Sequence, residues 1–220
     1  MNSLPEARSY RWLFWLIAAI GLTADLVSKY EIFAHMYDTM ATQGAELFPN
    51  ATRDEIFEHL YGGEGASITI IPGAFRLHVS PFQPKPDDAT GFLRQLRSYK
   101  GSNHWPHVNK GALFGFGQGR NILFGAVSVL AAAVIIGWSF QPAAGRDWFL
   151  CVALGLILAG TLGNLYDRIV FEGVRDFLHW YKWIDWPVFN IADVCLVCGA
   201  GMLLLEAFFR KPEPAAEPAS

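Results

Sequence analysis

The sequence is short of charge and lacks paired cysteines. Only 17% of its 220 residues are charged, less than in most soluble domains, and a net charge of -3 gives no reason to expect nucleic-acid binding. Its three cysteines, Cys151, Cys195 and Cys198, lie in apolar stretches and do not resemble a disulfide framework. No second Cys or His pair stands at a spacing that would complete a zinc site with Cys195 and Cys198. We therefore expect neither a metal nor a cofactor.

Long apolar segments are abundant instead, in a chain that is 52% hydrophobic. A helix needs about 20 mostly apolar residues to cross the hydrocarbon core of a bilayer. Four segments reach or approach that length: Arg11 to Lys29, Asn121 to Phe140, Trp148 to Tyr166, and Val188 to Phe209. The first ends in Asp25 and Lys29 rather than in a small-residue cleavage site, so we do not expect a cleaved signal peptide. The pattern predicts an all-α membrane protein with four transmembrane helices.

The polar stretch between the first two segments carries signals for smaller elements. Thr52 and Glu55 form a capping box before an apolar run, which predicts a short amphipathic surface helix. The β-rich runs Ser67 to Ile71 and Phe75 to Val79, split by Pro72-Gly73, predict a small sheet. We expect one membrane-embedded domain over residues 1–210, in which 31–108 is an extended region outside the membrane, and a disordered tail over 211–220.

Topology brings a set of polar residues to one face of the membrane. Four spans put both termini on the same side, so the first and third spans end, and the second and fourth begin, at the opposite side. The polar residues at those four places are Asp25, Asn109, Asn164, Asp167, Arg168, Asn190 and Asp193. Carboxylates at membrane depth are costly, and they are therefore candidates for function.

Asp167 and Asp193 are the sharpest candidates, and each follows an Asn by three residues, which places the two on one helix face. Two carboxylates in one site share a single proton. The ionised one can take a proton from water while the protonated one polarises a carbonyl. The pair thus predicts hydrolysis, with Asn164 and Asn190 orienting water or substrate. A structural salt bridge remains the alternative for Asp167, which is next to Arg168.

Four stretches in order resemble one family, lipoprotein signal peptidase, also called signal peptidase II. They are TADLVSKY with Asp25, NKGALFGF with Asn109, GNLYDRIVFEGVRDF with Asn164 and Asp167, and FNIADVCLVCG with Asn190 and Asp193. The resemblance implies an aspartic endopeptidase of the bacterial inner membrane. Such an enzyme removes the signal peptide of a prolipoprotein on the amino side of a cysteine that carries diacylglyceryl.

The resemblance also implies roles for individual residues. Asp167 and Asp193 would be the catalytic pair, and the supporting or substrate-binding residues would be Asn109, Asn164, Arg168, Asn190 and Asp25. Asp176 also lies in one of these stretches, and we expect it to have a structural role there, such as bracing Arg168 or Arg175. The expected partners are the diacylglyceryl prolipoprotein, membrane lipids and a globomycin-type inhibitor, with no metal and no nucleic acid. Both termini would be cytoplasmic, the site would lie near the outer face, and we expect a monomer.

The sequence departs from the family in its outer region, and other functions stay open. About thirty extra residues follow Phe75 before Asn109, and the stretch Phe33 to Ala66 is long, as loops tolerate. A proton-coupled transporter or a non-catalytic scaffold would also place carboxylates in a membrane. Ser28-Lys29 could suggest a Ser-Lys protease, but adjacent helix residues do not face each other, so we expect Lys29 to extend to the interface.

Overall fold

The computed structural model describes residues 9–60, 65–84, 96–97, 104–111 and 120–209. Helices in this part of the chain are α1 (Arg11–Leu47), α2 (Arg53–Leu60), α3 (Asn121–Ser139), α4 (Pro142–Arg146), α5 (Trp148–Val170) and α6 (Ile191–Phe209). Strands are β1 (Ala66–Ile71), β2 (Phe75–Val79), β3 (Gln83–Pro84), β4 (His104–Trp105) and β5 (Leu178–Trp180).

Four of these helices, α1, α3, α5 and α6, are long and apolar enough to cross a membrane, which confirms the predicted spans and fold class. The central helix is α5, which packs against the other three. Small residues let the helices approach closely. A Cβ atom at Gly155 would lie 2.8 Å from the carbonyl oxygen of Phe14, and one at Gly199 would lie 2.7 Å from that of Ala153.

The first helix is much longer than the sequence predicted. We expected it to end near Lys29, but α1 continues to Leu47 and has 37 residues. Its outer part buries Phe33, Met36, Tyr37, Met40 and Ala41, which recur every three or four residues along one face. At 1.5 Å per residue the helix is about 55 Å long, well beyond a hydrocarbon core of about 30 Å.

The outer part of α1 shares a hydrophobic core with α2. The rings of Tyr37 and Phe57 stack with their centroids 4.5 Å apart, and Phe82 packs edge-on against Tyr37 at 5.0 Å. The predicted capping box of α2 is confirmed, because the Thr52 amide donates to Glu55 at 2.7 Å and the Glu55 amide donates to the Thr52 hydroxyl at 3.4 Å. Gly62-Gly63, the pair that the sequence predicts to end this helix, lies outside the described residues.

The predicted hairpin is confirmed, and it belongs to a three-stranded antiparallel sheet in the order β1-β2-β5. Gly73 in its turn has φ +71°, a conformation that suits glycine. The third strand, β5, was not predicted because three residues carry too little pattern. A separate pair, β3 with β4, joins the two ends of the inserted segment. The proline-rich composition of Pro81 to Asp88 predicts a loop, but Gln83–Pro84 is a strand. Residues 85–88 lie outside the described part of the chain.

Candidate functional site

A cavity of about 880 Å³ lies where the sheet meets the ends of α5 and α6. Three parts of the chain supply its polar wall: the segment after β4, the last turns of α5, and the loop before β5. Their side chains are those of Asn109, Lys110, Asn164, Arg168 and Asp176, together with Asp193 from α6. The opposite wall is apolar and includes Val188, Val194 and Val197.

Asp193 is fixed in the first turn of α6 by a reciprocal capping arrangement. The Asp193 amide donates to Oδ1 of Asn190 at 3.0 Å, and the Asn190 amide donates to Oδ2 of Asp193 at 3.2 Å. Asn164, on α5, donates from Nδ2 to Oδ1 of Asp193 at 2.8 Å. Each carboxylate oxygen therefore accepts a hydrogen bond from a neutral group, and the negative charge lies at a helix N-terminus that favours it.

Asp176 lies beside Asp193 in the cavity wall and is joined to it through Asn190. Nδ2 of Asn190 donates to Oδ1 of Asp176 at 2.8 Å, and Nδ2 of Asn109 donates to Oδ2 at 3.2 Å. Burial is the main cause that raises the pKa of Asp176 from 3.8 to about 7, and the negative charge of Asp193 is the second. Within the described residues no cation forms a salt bridge with either carboxylate.

Asp167 has a different environment, because it is fully buried and faces two cations. Arg175 donates from its backbone amide at 2.8 Å and from its guanidinium at 2.7 Å, so the loop that carries Asp176 is clamped to α5. The ammonium of Lys29 lies 3.3 Å from Oδ2 of Asp167. Asp167 does not line the cavity. Asp167 therefore forms a structural salt bridge, the alternative that the sequence left open, and its partner is Arg175 rather than Arg168.

Asp25 and Lys29 complete a buried ion network with Asp167 and Arg175. The Lys29 ammonium lies 2.8 Å from Oδ2 of Asp25, and neither side chain is exposed. The expectation that Lys29 extends to the interface is wrong, because two carboxylates hold it inside the bundle. Oδ1 of Asp25 accepts the amide of Ala192 at 2.8 Å. The Ser28 hydroxyl donates to the backbone carbonyl of Asp25, a contact that does not involve Lys29.

Arg168 supports the opposite side of the cavity. Its guanidinium donates to the carbonyl of Gly111 at 3.1 Å and to Oδ1 of Asn121 at 3.3 Å, and it lies over the ring of Phe124. Asn109 and Val174 form a backbone bridge with hydrogen bonds of 2.8 and 2.9 Å. These contacts tie the segment Asn109 to Gly111 to the end of α5. Ala112 and Phe114, which also belong to the predicted motif, lie outside the described residues.

The structure brings together most of the predicted site residues. Asn109, Asn164, Arg168 and Asp193 line the cavity, and Asn190 lies behind it in contact with Asp176 and Asp193. Asp25 and Asp167 lie outside the wall, in the buried ion network. Asp176 was predicted to brace Arg168 or Arg175, but its hydrogen bonds go to two asparagines. Its position close after the third span was the signal that could have identified it as a site residue.

Comparisons with known proteins agree on one family. The model of the family described as signal peptidase (SPase) II matches residues 99–209. A lipoprotein signal peptidase of Rhodopirellula baltica is 48% identical over 124 residues, which cover 50% of this chain and 55% of that protein. One from Pseudomonas putida is 42% identical over 109 residues, covering 47% and 63% respectively. The chain thus spans between half and two thirds of the length of these relatives.

Solved structures agree on the fold. A bacterial membrane enzyme determined by the in meso method at 2.3 Å superimposes with a TM-score of 0.64, covers 96% of this chain and 98% of its own, and is 23% identical. A second, determined by the same method at 1.9 Å, has a TM-score of 0.59 and 22% identity, covering 94% and 99%. At these identities the likeness concerns the fold alone.

Proposed function

The chain belongs to the signal peptidase II family, and from that premise we propose that it is an intramembrane aspartic endopeptidase. Its substrates are prolipoproteins whose cysteine carries diacylglyceryl, and it cuts on the amino side of that cysteine. It works in the bacterial inner membrane with both termini in the cytoplasm and the cavity near the outer face. The observation that carries the chemistry is the pair of carboxylates in the cavity wall, Asp176 and Asp193, which accept hydrogen bonds from amides and form no salt bridge with any described residue.

We assign the catalytic pair to Asp176 and Asp193 instead of Asp167 and Asp193. Asp167 is buried between Arg175 and Lys29 and does not line the cavity, so a substrate bound there does not meet it. Asp176 has the opposite character, because burial and the neighbouring negative charge favour its protonated form. A pair in which one member holds the proton and the other is ionised is what general acid-base hydrolysis needs at neutral pH.

The reaction then follows from the positions of the two groups. Ionised Asp193 accepts a proton from a water molecule as that water attacks the scissile carbonyl carbon. Protonated Asp176 donates a hydrogen bond to the carbonyl oxygen, on which negative charge develops. The proton held by Asp193 passes to the leaving amine as the peptide bond breaks. Asn164 and Asn190 keep the Asp193 oxygens in place throughout.

The apolar wall of the cavity fits the rest of the proposed substrate. Val194 and Val197 extend from the level of Asp193 along the first two turns of α6, a helix capable of crossing the membrane. An apolar signal segment or acyl chain can therefore lie against α6 while its polar end reaches the carboxylates. Water has access from the polar side, next to Lys110 and Asn109.

The test is hydrolysis of a diacylglyceryl prolipoprotein by the protein purified in detergent. We expect Asp176→Asn and Asp193→Asn each to lower the rate by a factor of about 10²–10⁴, the usual contribution of a general acid or base. Asp38→Asn, a change at a partly exposed site on the outer part of α1, is the control and keeps the rate. Full activity of folded Asp176→Asn would contradict the assignment of Asp176 as a catalytic residue, and Asp167 would then be the next candidate.

A further inference from the structure

Two hairpin tips of the sheet region lie side by side. The β1–β2 hairpin turns at Pro72-Gly73, and the chain after β5 makes a second loop that closes when the Trp186 amide donates to the carbonyl of Trp180 at 2.9 Å. The Tyr181 amide donates to the carbonyl of Ala74 at 3.0 Å and joins the two tips. This hydrogen bond and the pairing of β2 with β5 hold the two tips together.

These tips expose large apolar side chains that form what we call the apolar patch: Ile70, Ile71, Trp183, Ile184 and Trp186. Each is between 44% and 77% exposed. A register irregularity between Thr69 and Ile71 leaves Ile70 without a direct partner in β2, and both Ile70 and Ile71 are exposed. Isolated exposed apolar residues are ordinary, but a group of five on two adjoining tips is typical of an interaction surface.

The patch is continuous with the exposed apolar side chains of α6, a helix long and apolar enough to cross a membrane. Trp186 also lines the cavity, together with Val194 and Val197 on α6. Val197 is 73% exposed on a helix that can cross the membrane. The bridge between Leu178 and Phe189 holds the loop against the chain just before α6 begins. An apolar surface thus runs from α6 past Trp186 to the hairpin tips.

The composition of the patch favours a lipid-water interface over a protein partner. Tryptophan is enriched at the level of the headgroups, where its ring is partly apolar and its N–H can reach polar groups. The ammonium of Lys182 lies 4.7 Å from the ring centre of Trp183, so a cation able to extend towards lipid phosphate accompanies the aromatic ring. The neighbouring acid, Asp185, is bound to His179 at 2.6 Å.

We propose that the apolar patch inserts into the headgroup region of the phospholipid bilayer on the face where the cavity opens, and so seats the sheet on the membrane beside the cavity. The proposal concerns membrane contact alone and does not depend on the catalytic assignment. It gives the three-stranded sheet a fixed height relative to the carboxylates, because β5 leads directly from the loop of Asp176 to the patch.

Site-specific fluorescence in lipid nanodiscs tests the proposal. The full chain carries Cys198→Ser, since Cys151 and Cys195 are buried, and an environment-sensitive label is attached at Ile184→Cys or Ile71→Cys. Ala45→Cys, exposed on the outer part of α1, is the control in water, and Leu130→Cys, exposed in the middle of α3, is the control in lipid. The nanodiscs contain phosphatidylglycerol and phosphatidylcholine, with or without a spin label near the headgroup.

We expect the labels at Ile184 and Ile71 to lose much of their fluorescence to the headgroup quencher, while the label at Ala45 loses none. The proposal is overturned if both patch labels behave like Ala45. It is also overturned if they are shielded from a water-soluble quencher but unaffected by the lipid quencher, since a second copy or another protein would then cover the patch. If Ile184→Cys does not fold, as judged by gel filtration, Ile71→Cys decides the outcome.

Discussion

The carboxylates beneath the cavity and those in its wall differ in what neutralises them. Asp25 and Asp167 lie among Lys29 and Arg175 in a buried network of two negative and two positive side chains. Among the described residues, the hydrogen-bond partners of Asp176 and Asp193 are amides. The two sets are in contact, because Asn164 accepts from Lys29 at 3.4 Å and donates to Asp193.

On the proposed assignment, this difference separates carboxylates that hold the site in place from carboxylates that take part in the reaction. The carboxylates of the ion network pair with cations and accept hydrogen bonds from backbone amides, whereas burial raises the pKa of Asp176 in the cavity wall. The ion network positions both members of the pair: Arg175 adjoins Asp176 in the chain, and Asp25 binds the amide of Ala192, which adjoins Asp193. Substitutions in the ion network and in the cavity wall should therefore have different effects.

The largest effect on stability is expected from Asp167→Asn. The change leaves Arg175 and Lys29 buried with one negative charge between them, and breaking a buried ion pair from one side costs about 3–5 kcal/mol. We expect the free energy of unfolding in detergent to fall by that amount, measured by denaturant titration with far-UV circular dichroism. The control is Asp38→Asn, whose partner Arg53 lies 3.5 Å away on the surface, and it should change little.

A double variant separates charge balance from packing. Lys29→Met alone leaves Asp25 without its closest cation, whereas Lys29→Met combined with Asp25→Asn removes one charge of each sign. We expect the double variant to be more stable than Lys29→Met alone, because no uncompensated charge stays buried. Equal destabilisation of the two variants would show that shape, not charge, makes the network stable.

The next effect is the pH dependence of stability, to which Asp176 in the cavity wall should contribute. The pKa of Asp176 is higher in the folded protein, about 7, than its ordinary 3.8, so the folded state binds more protons between these values. Stability therefore falls as pH rises from about 4 to about 7. Asp176→Asn should flatten this dependence in melting curves recorded across that range. An unchanged slope would mean that another group titrates there.

A smaller shift is expected in the pH profile of hydrolysis. If protonated Asp176 is the acid, kcat/KM falls as pH rises through about 7. Asn109→Ala removes a hydrogen bond that favours the ionised form, so the pKa of Asp176 rises and the alkaline limb moves up by as much as about one unit. Asn121→Ala changes only the support of Arg168 and should leave the limb in place. A limb that moves downward in Asn109→Ala would contradict this account.

The smallest effect on stability is expected at the exposed pair Thr52 and Glu55, which belongs neither to the ion network nor to the cavity wall. Thr52→Ala removes the cap of α2, which typically costs about 1 kcal/mol. Thr42→Ala, within α1, loses only a bond from its hydroxyl to the carbonyl of Asp38 and should be close to neutral. Thermal unfolding of the two variants compares them directly. If Thr52→Ala lowered stability as much as Asp167→Asn does, buried polar groups would contribute no more to stability than exposed ones, contrary to our expectation.

The spans and the meeting of polar residues at one end could be predicted because both follow from apolar length and from the number of crossings. The partners of the carboxylates could not. In the sequence Asp167 adjoins Arg168 and Asp176 adjoins Arg175, yet the fold pairs Asp167 with Arg175. The loop between them turns back on α5 through a residue with φ 60°, Glu172, a conformation that no sequence pattern marked.

The outer half of α1 was missed for a related reason. Polar residues such as Glu31, Asp38 and Thr42 interrupt the hydropathy there, although the buried face repeats every three to four residues. Strand β5 is too short to show alternation, and only its pairing with β2 defines it. In both cases tertiary packing, rather than local composition, determines the element.

The length of α1 has a mechanical consequence. No proline interrupts the helix from Arg11 to Leu47, so the segment that carries Asp25 and Lys29 is continuous with about 27 Å of helix beyond them. This outer arm holds α2 through the stacked rings of Tyr37 and Phe57. A force applied to α2 would therefore act through one continuous helix on Asp25, which accepts the amide of Ala192, the residue next to Asp193.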